Sequence, residues 1–240
     1  TGGIGKTALG IELARSLLPT FDGNVRLVEL ASLADPNLVP LAVAEAIGLP
    51  TNRGAKSAES VARDIGSQRL LLMLDNCEHL IDAATQLAES ILRLSSRAVI
   101  LTTSRETLRT TSEHVYRVPP LEVPSHDSGQ AAEILGNSAV QLFLDRAEAT
   151  HMAGLRDRQN LRLIARICRH LDGMPLAIEF AAARAASLGL AQVADGLQDR
   201  FALLTTGRRT ALPRHQTLRA ALDWSYALLP DAERLLLRPV

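Results

Sequence analysis

Lysine is almost missing from this chain: among 26 lysines and arginines, only Lys6 and Lys56 are lysine. Aromatic residues make up just 3% of the sequence, and cysteine occurs twice, at Cys77 and Cys168. Two cysteines cannot build a disulfide framework, and their use fits a reducing cytoplasm. Trp224 and Tyr226 have no aromatic or basic neighbours, so they read as core anchors and not as base-stacking platforms. Net charge is also absent, because 26 acidic residues balance the basic ones. A domain that grips DNA by its phosphates carries a basic excess, so direct nucleic-acid binding is not expected of this segment. Arg208, Arg209 and Arg214 cluster in a polar stretch that reads as a solvated linker. No apolar run approaches the length of a membrane span, and no signal peptide is visible. The expectation is a cytoplasmic protein without membrane contact. Internal repeats and low-complexity tracts are missing too. What remains is a 240-residue chain with 47% hydrophobic residues, enough for one or two domains built on Leu, Ala, Val and Ile.

The most informative stretch is the first, "TGGIGKTALG". A phosphate-binding loop follows the pattern Gly, four free residues, then Gly-Lys-Ser/Thr. Gly5, Lys6 and Thr7 supply its second half, while its first glycine would fall one position before Thr1. Gly2, Gly3 and Gly5 can take backbone angles closed to other residues, turning the N–H groups of Gly2, Gly3, Ile4, Gly5 and the residues up to Ala8 toward an anion. From Lys6 to Leu18 an apolar stripe of Leu9, Ile11, Leu13, Ala14, Leu17 and Leu18 predicts a helix. The helix N-terminus would then lie under the phosphates, where free N–H groups and the macrodipole favour negative charge. Lys6 would reach the β- and γ-phosphates, and the Thr7 hydroxyl would ligate Mg²⁺. A plain helix-capping turn would also use glycines, but it would not need Gly-Lys-Thr at the start of an amphipathic helix.

Further along, strands and helices alternate. "NVRLVEL" reads as a strand, and "DPNLVPLAVAEAIGLP" as a helix with Asp35 as cap, Pro36 at its first position and Gly48 as its stop. "AESVARDIGSQ" is a second helix. "RLLLMLDN" is a continuous apolar run ending in an acid, the mark of a strand buried on both faces of a parallel sheet. "HLIDAATQLAESILRLSS" is helical, "AVILTTSR" is another buried strand, and "HVYRVPPL" predicts a last short strand closed by Pro119 and Pro120. The pattern implies a doubly wound α/β layer. After the polar "EVPSHDSGQ" only helical patterning follows. The strand feeding the loop should be central and should precede Thr1, so the chain is expected to be a fragment of a longer protein.

A nucleotide site needs a carboxylate at the end of a buried strand to hold Mg²⁺ or its waters, and Asp75 stands there. Many such sites follow this acid with a glutamate that activates water, whereas Asn76 cannot act as a base. Glu78 could substitute, or it could equally be a favourable first-turn acid of the next helix. Thr103, Ser104 and Arg105 end the next strand where a sensor of the γ-phosphate would sit. Cys77, Glu78 and His79, with Cys168 and His170, do not offer four ligands at familiar zinc spacing.

Together, "GGIGKTALGIELA", "RLLLMLDNCEHLI", "VILTTSRE", "VPPL", "ICRHLDGMPLAIEFAAAR" and "RHQTLRAALDWSYALL" resemble the NB-ARC-type ATPases of the STAND class. Nearest among them are the ATPase modules of bacterial multidomain transcriptional regulators. The resemblance implies a P-loop domain over 1–124, a helical domain over 125–204 and the start of a winged-helix domain over 205–240. It implies ATP/ADP and Mg²⁺ as ligands, and slow hydrolysis used as a switch. It places Pro175 of "GMPLA" near the adenine, with Gly173 allowing the turn. Asp75, Glu78 and Arg105 become the residues around the terminal phosphate. Its expected partners are other domains of the same longer chain, with nucleotide-dependent self-association among the contacts such a module makes. A motor-like ATPase with substantial turnover, or an inert truncated remnant, are the competing readings.

Overall fold

The computed structural model describes residues 2–50, 56–125 and 130–197. Within them the chain forms two compact units. One comprises the described residues between Lys6 and Arg117; the other joins residues 2–5 to the described residues between Val118 and Leu197. The winged-helix start expected over 205–240 lies outside the described residues.

The first unit is α/β. Its elements run α1 (Lys6–Ser16), β1 (Val25–Glu29), α2 (Val39–Ala46), α3 (Ala58–Ile65), β2 (Leu70–Asp75), α4 (Ile81–Leu94) and β3 (Ala98–Thr102). Short 3-10 turns at Leu30–Ser32, Pro36–Leu38 and Cys77–Leu80 connect them. The three strands form a parallel sheet in the order β1-β2-β3. All six residues of β2 are buried. Side chains alternate across a strand, so Leu70, Leu72 and Leu74 pack on one face among α2, α3 and α4. Leu71 and Met73 face the other way, toward Ala14 and Phe21. Both faces are therefore covered, which is why β2 reads as an unbroken apolar run.

Two local expectations change. The stripe on α1 is split: Gly10 and Ala14 are buried, while Leu9 and Leu13 remain 47% and 44% exposed. Residues 10 and 14 share a face four positions apart, and 9 and 13 lie about 100° around the helix. Gly10 lets the helix approach β2 so closely that an added Cβ would come within 2.5 Å of Met73 Cε. The strand expected over "HVYRVPPL" does not form. Pro119 and Pro120 offer no N–H to a ladder, and the Leu121 N–H donates instead to Gly173 O at 2.9 Å.

The second unit is helical: α5 (Ala131–Leu135), α6 (Ser138–Glu148), α7 (Arg158–His170), α8 (Pro175–Leu188) and α9 (Leu190–Gly196). Phe143, Ile164, Ile167, Ile178 and Val193 are fully buried at its centre. Removing each of these side chains from water contributes about 1.5–3 kcal/mol. Asp35 caps the turn beginning at Pro36 by accepting from the Asn37 N–H at 2.9 Å. Ser57 caps α3 through the Ser60 N–H. Among the described residues, no helix is long and apolar enough to cross a membrane.

Candidate functional site

The first turn of α1 carries Lys6 and Thr7, and β2 ends in Asp75. The Thr7 hydroxyl donates to Asp75 Oδ1 at 2.7 Å, joining residues 68 positions apart. Thr103 donates to the same oxygen. Asp75 is 5% exposed and Thr103 6%, so the carboxylate is desolvated and held by two hydroxyls.

Parallel pairing explains why Thr103 arrives there. The register sets Leu74 beside Thr102, and the next residues continue the ladder: Thr103 N–H donates to Leu74 O, and Cys77 N–H donates to Thr103 O, both at 3.0 Å. Asn76 turns the chain between these bonds in the left-handed region, φ 65° and ψ 55°, which asparagine tolerates better than most residues. Its N–H donates to Thr103 Oγ1 at 3.0 Å. One hydroxyl therefore both accepts from the turn and donates to the carboxylate.

Beyond the turn, Glu78 Oε1 lies 3.1 Å from Arg105 Nε, and both side chains are largely buried, 6% and 18% exposed. Burial pulls the Lys6 ammonium below its usual pKa; Glu78 and Asp75 oppose that shift, and Arg105 adds to it. Lys6 therefore shares one electrostatic environment with the three residues expected around a terminal phosphate. His79 is turned elsewhere: its Nε2 stands 3.0 Å from both Leu30 O and Leu33 O, and its Nδ1 lies 3.4 Å from Asn76 Nδ2. Two carbonyl acceptors call for a proton on Nε2, leaving Nδ1 to accept from the asparagine amide. Cys77 is fully buried, and burial, with Glu78 and Asp75 assisting, pushes its thiol up to about 12. A thiol held protonated in this way is a poor nucleophile at neutral pH.

Thr7 and Asp75 are hard oxygen donors, the kind Mg²⁺ takes one or two at a time while keeping phosphate oxygens and waters. Among the described residues no group of three or more His, Cys, Asp and Glu could hold a metal by itself. A cation here would need a ligand's oxygens to complete its shell, and the pair present fits that requirement.

The remaining predicted residues belong to the second unit. Gly3 and Gly5 adopt φ values of +76° and +93°, closed to most side chains. Gly3 O accepts from the Leu176 N–H at 3.2 Å. A Cβ on Gly3 would stand 3.0 Å from Leu176 Cβ, and one on Gly5 would stand 3.9 Å from Pro175 Cγ. Pro175 opens α8 at its first position, where its missing N–H costs nothing. Gly173 has φ +65° and passes so close to Leu121 that an added Cβ would collide with Leu121 O. Gly2 and Ile4 are half-buried and Ala8 is exposed.

Sequence reasoning placed Thr103 with the sensor residues and missed its bonds to Asp75 and Asn76, which only the strand register reveals. It also missed Gly10 as the contact that seats α1. A glycine inside an otherwise good helix was the available signal.

No family model matches this chain. It is similar to a Mycobacterium tuberculosis protein provisionally named an HTH-type transcriptional regulator, with 42% identity over 238 residues. That alignment covers 99% of this chain and 25% of the relative. A Mycobacterium bovis protein with the same provisional name matches equally well. An uncharacterized M. tuberculosis protein is 37% identical over 235 residues, covering 98% of this chain and 57% of that one. The chain thus spans about a quarter of the length of the named regulators it matches.

Proposed function

We propose that this chain is the adenine-nucleotide-binding switch module of a transcriptional regulator, of the NB-ARC and STAND type, with ADP and ATP as alternating ligands. The observation that carries this reading is the Thr7–Asp75 hydrogen bond. It brings the hydroxyl that follows Gly-Lys onto the acid that ends a buried parallel strand, as a P-loop nucleotide site requires. Lys6 meets the β- and γ-phosphates, and Arg105 meets the terminal phosphate. Thr7 and Asp75 hold Mg²⁺, whose double charge offsets that of the phosphate oxygens. Pro175, beside Gly5, lies against the adenine. Asn76 in the position after Asp75 supplies no base, so hydrolysis is slow and serves to reset the state. The relatives' names support a regulatory setting, and the neutral charge of this segment leaves DNA contact to other parts of the protein.

A switch moving from 1:99 to 99:1 needs a ligand that distinguishes its two states by about 5.5 kcal/mol. Charge-assisted bonds from Lys6 and Arg105 to the phosphate that ADP lacks are the natural source. The test is chromatography of nucleotide released from the purified intact protein. Wild type is expected to release ADP or ATP, and Lys6→Ala to release none. Equal retention by both proteins would refute the reading.

A further inference from the structure

The Glu78–Arg105 pair is the part of the site that nucleotide binding does not itself explain. Glu78 lies in the 3-10 turn Cys77–Leu80, and that turn is pinned on both sides. Cys77 N–H is tied to Thr103 O, and the His79 ring to the carbonyls of Leu30 and Leu33. Glu78 therefore cannot drift away from Arg105 without unmaking the turn. Its Oε1 takes the ion pair, while its Oε2 is buried and accepts no hydrogen bond among the described residues. A carboxylate oxygen desolvated and undonated is costly. It persists here beside two cations, Lys6 and Arg105, which are balanced by two carboxylates, Asp75 and Glu78.

We propose that Glu78 is an internal competitor for Arg105: it holds the guanidinium when no terminal phosphate is present, and thereby sets the preference of the site between ATP and ADP. This rests on the nucleotide reading above and names the residue that tunes it. Glu78 acts through Arg105, as a positioning residue. ADP leaves the Glu78–Arg105 pair undisturbed. ATP brings one more anionic group, which must draw Arg105 away from Glu78 and tolerate a like charge beside it. Arg105 is suited to the exchange because a guanidinium binds carboxylate and phosphate with the same planar fork. The sequence left Glu78 open between a base and a first-turn acid; the ion pair gives it a third role, as the counter-ion that a γ-phosphate displaces.

The experiment measures affinities of the intact protein for ADP and for a non-hydrolysable ATP analogue, both with Mg²⁺, by calorimetry. Glu78→Gln keeps the shape of the side chain and removes its charge. It is expected to raise the analogue-to-ADP affinity ratio about tenfold, within the usual span of coupled binding effects. In an Arg105→Ala background the same substitution should change nothing. An unchanged ratio in Glu78→Gln, or an equal rise in the Arg105→Ala background, overturns the proposal. If wild type binds neither nucleotide, the nucleotide reading falls and this inference with it; binding with an unmoved ratio removes this inference alone. Should Glu78→Gln fail to fold, Glu78→Asp retains the charge but shortens its reach. It should shift the ratio the same way by a smaller factor, and an unmoved ratio is again the refuting result.

Discussion

At the scale of single residues, Thr103 matters beyond its size. Its hydroxyl donates to Asp75 and accepts from the Asn76 N–H in a buried setting. Thr103→Val preserves shape but leaves that N–H without its acceptor and the carboxylate with one donor fewer. Losing such bonds from a buried network costs about 1–3 kcal/mol, so Thr103→Val should lower stability by that amount in urea unfolding, and Thr103→Ser by much less. Equal stability of the two variants would show that the hydroxyl is dispensable. Asp75 was singled out in the sequence because an acid closing a buried apolar run stood downstream of a Gly-Lys-Thr helix start; alone, it would have read as a cap of the next helix. Thr103 was visible as a strand end, but its partner was not, since partnership across two strands depends on register and a single sequence carries no register. Arg105 was legible as a strand-end cation, whereas its ion pair with Glu78 depends on the left-handed turn at Asn76.

At the scale of elements, the corner between α7 and α8 holds the segment that enters the helical unit. The Leu121 N–H bonds to Gly173 O, and Leu121 O occupies the space where a Gly173 side chain would begin. Gly173→Ala combines that collision with backbone strain at positive φ. It should cost more than the roughly 1–2 kcal/mol of left-handed strain alone, and should weaken thermal stability clearly. Gly48→Ala is the control: its φ is +75° but nothing lies within 4 Å of an added Cβ, so only the strain is expected. Equal losses in the two variants would mean that Leu121 moves aside freely. Helices and strands were mostly legible because period and capping agree over long stretches. The expected strand over residues 114–121 failed because β-rich composition says nothing about whether a neighbouring strand is available. The α1 stripe misled because leucine count outweighed geometry; the face that packs is marked by its smallest residues, Gly10 and Ala14.

At the scale of the molecule, each compact unit encloses one thiol. In the helical unit, burial pushes the Cys168 thiol from its ordinary value near 9 up to about 12, with Arg169 opposing. The folded state keeps the proton while the unfolded state releases it, so this contribution is complete below about pH 9 and is lost as pH rises toward 12. Stability should therefore fall with rising pH through that window on account of Cys168. Cys168→Ala should make the decline in urea unfolding between about pH 9 and pH 11 shallower, whatever it costs at neutral pH, and an unchanged slope would count against this assignment. The division into units was not legible in full: the glycines of the first loop and the helix they introduce fall on different sides of it, and no change in composition marks that point. The scarcity of lysine then acquires a practical meaning. An amine-directed reagent meets only two side-chain targets in the whole sequence. Lys56 pairs with Asp64 at 2.8 Å, and burial lowers the pKa of Lys6. Acylation footprinting of the unaltered protein thus has a native reporter at the residue on which the nucleotide reading depends.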